Sequence, residues 1–186
     1  MTRLGRIVAG VLLLAWVAWL HTSGPLAEPG SQSAGGQDGA KPARVQGAAS
    51  ASALLENRRL ALTAQARRDL AVGRVDPQLR RLLAVVLARH RVSVSVIRGG
   101  HSRYVAGTRR ISKHTRAKAV DIWAVDGGRV SPGHRQSRRL VAWLLTLPKP
   151  QRPAEIGSPF GQFDRGPGDG VFTDAAHQDH LHLAVP

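Results

Sequence analysis

Cysteine is absent from the 186 residues. That absence excludes disulfides, thiolate metal sites and a cysteine nucleophile, and it assigns no compartment. Aromatic side chains make up only 4% of the chain, and they do not interleave with basic residues into a platform on which bases could stack. Acidic residues are in the minority, 12 against 27 Lys and Arg, for a formal charge of +15. Such a balance suits polyanionic surroundings: nucleic acid, anionic lipid or an acidic cell-wall polymer. Lysine, however, is scarce within that cationic set. Richness in Arg, Ala, Gly and Val reads as coding bias, and the charge as surface solvation rather than a dedicated anion site. Nucleic acid is not expected as a partner.

A long hydrophobic run is also missing. The apolar stretch Ile7 to Leu20 falls short of the ~20 residues that span a bilayer comfortably. Arg3 and Arg6 precede it, which gives the n-region and h-region of an export signal. Trp16 and Trp19 near its end suit a membrane interface. Small residues follow at Thr22-Ser23-Gly24 and Leu26-Ala27, without a clean cleavage motif. Residues 1–23 are therefore expected to be an export signal or an N-terminal membrane anchor. Either leaves the protein extracytoplasmic, secreted or held at the cytoplasmic membrane. Residues 24–50 are rich in Gly, Ala, Ser, Pro and Gln and read as a disordered linker. Residues 51–186 remain for one domain, large enough to bury a core without disulfides. It is expected to be a monomer.

Within that domain the pattern is helical from Ala51, with Leu54, Leu55, Leu62 and Leu70 on one stripe and Gly73 as the stop. Asp76 caps a second helix with Pro77 at its first position. Val92, Val94 and Val96 alternate with serines, a half-buried strand ending at Arg98, and Gly99-Gly100 opens a loop. Ala119 to Val125 reads as a strand with Val120 and Ile122 turned to the core. Asp126-Gly127-Gly128 signals a turn. Arg135 to Leu147 reads as a helix, Glu155-Ile156 as a short strand, Phe160 to Thr173 as a long Gly-rich loop, and His180 to Val185 as the last strand.

The chemistry lies in His114, Asp121 and the cluster His177-Gln178-Asp179-His180-Leu181-His182. Two imidazole nitrogens and a carboxylate oxygen suit a catalytic Zn2+ ion with one coordination position left open. Side chains two apart on a strand share a face. His180 and His182 therefore project together, opposite Leu181 and Leu183, while Asp121 opposes its apolar neighbours. Adjacent strands would let Asp121 and His182 converge on one ion, with His114 supplied from the preceding loop or turn. Taken alone, a His such as His114 is more often a surface or capped residue than a ligand. Gly99-Gly100 lacks the Lys-Ser/Thr of a phosphate loop. Gly166 to Gly170 lacks the ligand spacing of a calcium loop. The fold expected is α+β: a small, mainly antiparallel sheet with N-terminal helices packed on one face and the zinc site on the other.

Ser112-x-His114-x-x-Ala117-x-Ala119-x-Asp121, followed by His180-x-His182, resembles the zinc peptidases of the D-Ala-D-Ala carboxypeptidase and hedgehog-like fold, a group that includes murein endopeptidases. The likeness runs from about Val92 onward. It implies a metallopeptidase acting on a peptidoglycan peptide with a D-amino acid at the cleaved bond, by endopeptidase or carboxypeptidase action. It implies His114, Asp121 and His182 as zinc ligands. Arg98 matches an Arg near the substrate carbonyl in that family. The catalytic base is expected to be His180, with Asp179, three residues before the last ligand, and then His177 behind it. His101, Tyr104, Ser112 and His177 are expected to touch substrate alongside Arg98. The chain departs from the family at Ala117, where Gly is usual; Ala there is strained if the backbone needs positive φ. The alternative function is a non-catalytic module of the same fold that binds peptidoglycan or another anionic polymer.

Overall fold

The computed structural model describes residues 49–186. The expected export segment and residues 24–48 of the linker lie outside the described residues. Among the described residues no helix is long and apolar enough to cross a membrane. Ala49 and Ser50, expected in the linker, belong to the domain: Ala49 is buried, and Ser50 Oγ accepts a hydrogen bond from Ala53 N at 3.1 Å.

Four helices and seven strands follow: α1 (Ala51–Leu55), β1 (Leu60–Leu62), α2 (Ala64–Ala71), α3 (Pro77–Leu87), β2 (Val92–Val96), β3 (Ala119–Val125), β4 (Gly128–Arg129), α4 (Arg135–Thr146), β5 (Glu155–Gly157), β6 (Val171–Phe172) and β7 (Leu181–Ala184). One sheet holds all the strands in the order β1-β2-β3-β7-β5-β6, with β4 paired to β3. The central pairings are antiparallel, but both edge pairings, β1–β2 and β5–β6, are parallel. The sheet is therefore mixed, which corrects the expectation of a mainly antiparallel one. The parallel pairs come from two strands that the sequence hides. Leu60 and Leu62 fit the helical stripe, yet Thr63 caps a new helix by accepting from Ala66 N at 3.2 Å and so interrupts it. Val171-Phe172 sits inside the Gly-rich stretch that read as loop.

Elsewhere local chemistry and structure agree. Asp76 Oδ1 accepts from Gln78 N at 2.7 Å and starts α3 ahead of Pro77. Asp126 (φ 51°) and Gly127 (φ 87°) make the two-residue turn between β3 and β4, the left-handed pair a tight hairpin requires.

Strand alternation sets the two faces. Val120 and Ile122 on β3 pair with Leu183 and Leu181 on β7. All four are fully buried and share the core with Leu79, Leu83 and Val86 of α3 and Leu140, Val141 and Leu144 of α4. Each such side chain contributes about 1.5–3 kcal/mol on burial. A one-residue slip of β7 would turn Leu181 and Leu183 out and His182 into the core, so the apolar face locks the register. The opposite face carries the row Asp121, His182 and Gly157, directly across from one another on β3, β7 and β5.

Candidate metal centre

His114 reaches this row from a 3-10 turn, Lys113–Arg116, that follows the β2–β3 loop. Ser112 starts the turn; its Oγ accepts from His114 N at 3.3 Å. Ala117 ends it in the left-handed conformation, φ 50° and ψ 37°. This is the position where Gly is usual in the resembling family, and the backbone does need positive φ. The methyl group is accommodated in the core at 1% exposure, and the strain it carries for an L-residue is about 1–2 kcal/mol.

Three donor atoms meet. His114 Nε2 lies 3.2 Å from Asp121 Oδ1 and 3.2 Å from His182 Nδ1, and His182 Nδ1 lies 3.1 Å from Asp121 Oδ1. All three residues are buried, at 0%, 5% and 8% exposure for His114, Asp121 and His182. The outer nitrogens are already engaged. His114 Nδ1 is 2.7 Å from the Ile97 carbonyl, which can only accept. Nδ1 therefore carries a proton, and Nε2 is the nitrogen turned to the centre. His182 Nε2 faces Glu155 Oε2 at 3.6 Å, which turns its Nδ1 inward.

The charges follow from this crowding. Burial opposes charge on Asp121, but the His114 and His182 rings that hold its oxygen outweigh burial and keep the carboxyl below the usual carboxylate range. Burial likewise opposes charge on His182, and Asp121 and Glu155 outweigh it, raising the imidazole pKa to about 9. The His182 contact holds Glu155 below its usual range. His114 Nε2 and Asp121 Oδ1 thus face each other almost out of contact with water. They need a proton or a cation between them. A tetrahedral ion with ligands at ~2.0–2.1 Å spaces its donors ~3.3–3.4 Å apart. The observed triangle fits that spacing. His101 joins from the side: its donor atom and those of His114 and Asp121 all lie within 4.8 Å of one another, a group that could hold a metal ion.

A cavity of about 490 Å³ opens over the cluster, lined among others by His101, Ser112, Asp121, His177, His180 and His182. That size accepts a small ligand or a short peptide stretch. His180 Nδ1 is 2.8 Å from Asp179 Oδ1, while its Nε2 points to Asp121 Oδ1 at 3.8 Å. The His180 ring holds the exposed Asp179 carboxyl below its usual range. His177 Nδ1 is 2.6 Å from Asp174 Oδ1. Burial lowers the His177 pKa against the opposing pull of Asp174, so the ring is neutral at neutral pH. Gly157 leaves room for it: a Cβ there would stand 2.7 Å from His177 Cδ2 and 2.8 Å from Phe172 Cε2.

The expected site residues divide. His114, Asp121, His182, His180, His177, His101 and Ser112 come together. Asp179 does not line the cavity; it is exposed and reaches the site only through its contact with His180. Arg98 does not line the cavity; it lines an adjoining depression with Asp69, Gly100 and Arg103 that shares His101 with the cavity. Tyr104 is exposed and pairs with Ile111 outside the cavity wall. Four residues were not singled out from sequence. Glu155 backs His182, Asp174 holds His177, and Arg110 and Lys113 bring positive charge to the cavity. Arg110 Nη1 also lies 3.6 Å from Glu155 Oε1. Compared with known proteins, the chain matches no family model, no curated protein and no solved structure.

Proposed function

We propose that this chain is a zinc metallopeptidase that hydrolyses peptide bonds in peptidoglycan stem peptides or crosslinks. One observation carries the proposal: donor atoms of His114, Asp121 and His182 lie 3.1–3.2 Å from one another, while the Ile97 carbonyl holds the outer nitrogen of His114 and Glu155 faces that of His182 at 3.6 Å. A carbonyl or carboxylate behind each ligating His is how metal sites fix their tautomers. The resemblance of the Ser112-to-Asp121 motif and His180-x-His182 supplies the substrate class, a peptide with a D-amino acid at the scissile bond. The same reading puts the domain outside the cytoplasmic membrane.

Bound zinc would supply a Lewis acid and a water of pKa ~7. The chain's own residues do the rest. His180, oriented by Asp179, accepts a proton from the attacking water as the water oxygen bonds the carbonyl carbon. The same ring returns that proton to the amide nitrogen as the C–N bond breaks. Arg110 and Lys113 attract the negative charge of substrate and of the attacked carbonyl oxygen. Phe172 and the His177 ring narrow the cavity around the scissile bond.

The test is metal analysis of the purified chain, followed by digestion of isolated peptidoglycan with mass analysis of the products. One zinc per chain and released peptide fragments are expected. A chain that holds zinc and co-sediments with peptidoglycan but releases nothing is a binding module. A chain without stoichiometric zinc overturns the proposal.

A further inference from the structure

We infer that His101 is a fourth, exchangeable metal ligand, which closes the coordination shell until substrate enters; the inference rests on the zinc reading above. Its ring lies flat on that of His114, with centroids 4.1 Å apart and planes 18° apart. Both hydrogen bonds of the His101 ring use Nδ1, to the Ser102 carbonyl at 2.9 Å and to Ser112 Oγ at 3.4 Å. The carbonyl fixes the proton on Nδ1 and leaves the Nε2 lone pair free. One nitrogen of the His101 ring lies within 4.8 Å of the donor atoms of His114 and Asp121, and a tetrahedral ion held by His114, Asp121 and His182 needs a fourth ligand. Stacking on His114 accounts for the ring's position but gives Nε2 no partner.

The loop that carries His101 is built to move it. Asp69 Oδ2 accepts from Arg98 N at 3.0 Å and Gly99 N at 2.8 Å, and so clamps the root of the loop. Gly100 follows at φ 84° with open space where a Cβ would be. His101 is the next residue, and it is exposed whereas His114 and Asp121 are buried. Its donor atom is within 4.8 Å of theirs. To ligate the same ion as His114, the ring must tilt out of its stack, since parallel rings aim their lone pairs in parallel, and rotation about Gly100 must also close a gap of ~1.5 Å or less to reach the ~3.3 Å spacing of tetrahedral donors. The exchange is a ligand substitution: the imidazole nitrogen leaves, and a water or substrate oxygen takes its position.

Cobalt(II) reports the coordination shell through its visible bands. Full chain is loaded with cobalt as parent, His101→Ala and His182→Ala. The parent band is expected to hold constant with pH, because a protein nitrogen fills the fourth position. The His101→Ala band should titrate near pH ~7, as a solvent-filled fourth position does. Cobalt affinity should fall on the order of 10-fold in that variant. Identical spectra, pH responses and affinities in the parent and His101→Ala would overturn the assignment of His101 and leave the zinc centre standing. A parent that binds no stoichiometric cobalt, or a His182→Ala chain that binds it as the parent does, would remove the metal centre and this inference together.

Discussion

The residues around the cavity are held in two different ways. Asp121 and His182 stand opposite each other on paired strands, almost out of contact with water, and their register is fixed by four buried aliphatic neighbours. His101, His177, Asp179 and His180 lie on loops or at a strand's threshold, on the open side of the same cluster. Each is tied by a short local bond: Ser102 for His101, Asp174 for His177, and Asp179 for His180. A sheet position cannot shift without moving the core, so it suits atoms that must keep one distance. A loop position can shift at little cost, so it suits groups that must change partners. On the proposed reading, the contrast assigns a fixed part of the ion's shell to the sheet and the groups that change partners, His101 and His180, to the loops.

The largest expected effect tests the sheet-borne half. His182→Ala should reduce zinc from one equivalent to none by elemental analysis; full retention would break the assignment of fixed ligands to strands. His180→Ala tests the loop-borne half. It should keep its zinc and lose turnover on the order of 10²–10⁴-fold, as removal of a general base does. Unchanged cleavage of peptidoglycan by that variant would move the proton transfer elsewhere.

Acid should act on the sheet-borne half in a defined direction. The metal-free His182 has its pKa raised to about 9, so at neutral pH it holds a proton that zinc must displace. Apparent zinc affinity should therefore weaken about tenfold for each pH unit below that value, read by competition with a chromophoric chelator. A flat profile would show that no proton competes. Glu155→Gln sharpens the same point. It removes one of the carboxylates that hold the proton and the ring, and zinc affinity at a fixed pH above 9 should fall ~10–100-fold. The smallest effect separates two cations. Arg110→Ala should reduce turnover several-fold and more than Arg98→Ala does, because only Arg110 borders the cavity; the reverse order in kcat/KM would restore Arg98 to the site.

Much of the sheet-borne half was legible in the sequence. Apolar residues alternate on either side of Asp121 and His182, and alternation alone says that both turn away from the core. His114 was legible only through its spacing to Asp121. What alternation cannot say is which strands are neighbours. Glu155 was therefore missed: it lies on a three-residue strand and meets His182 through a pairing of β5 with β7 that no spacing encodes. Arg110 was missed because nothing local distinguishes one loop arginine from another, and Arg98 was favoured because it follows a clear strand. The hidden strand Leu60–Leu62 fails for a different reason. Its two leucines satisfy a helical stripe as well as a strand, and the pairing with β2 decides between them.

The position of β7 bears on how the protein comes into being. β7 follows every other strand in the chain yet lies between β3 and β5, with the β1-β2-β3 group on one side and the β5-β6 pair on the other. As the polypeptide is synthesised, the earlier pieces can form and still have no strand to join them. Residues 181–184 close the sheet and deliver His182 in the same event. Contacts that span so much sequence are slow to form, and a nascent chain that still lacks them holds His114 and Asp121 without their third partner. If the site binds metal as proposed, assembly order would act as a timer on its capture, because His182 joins His114 and Asp121 only when β7 pairs with β3.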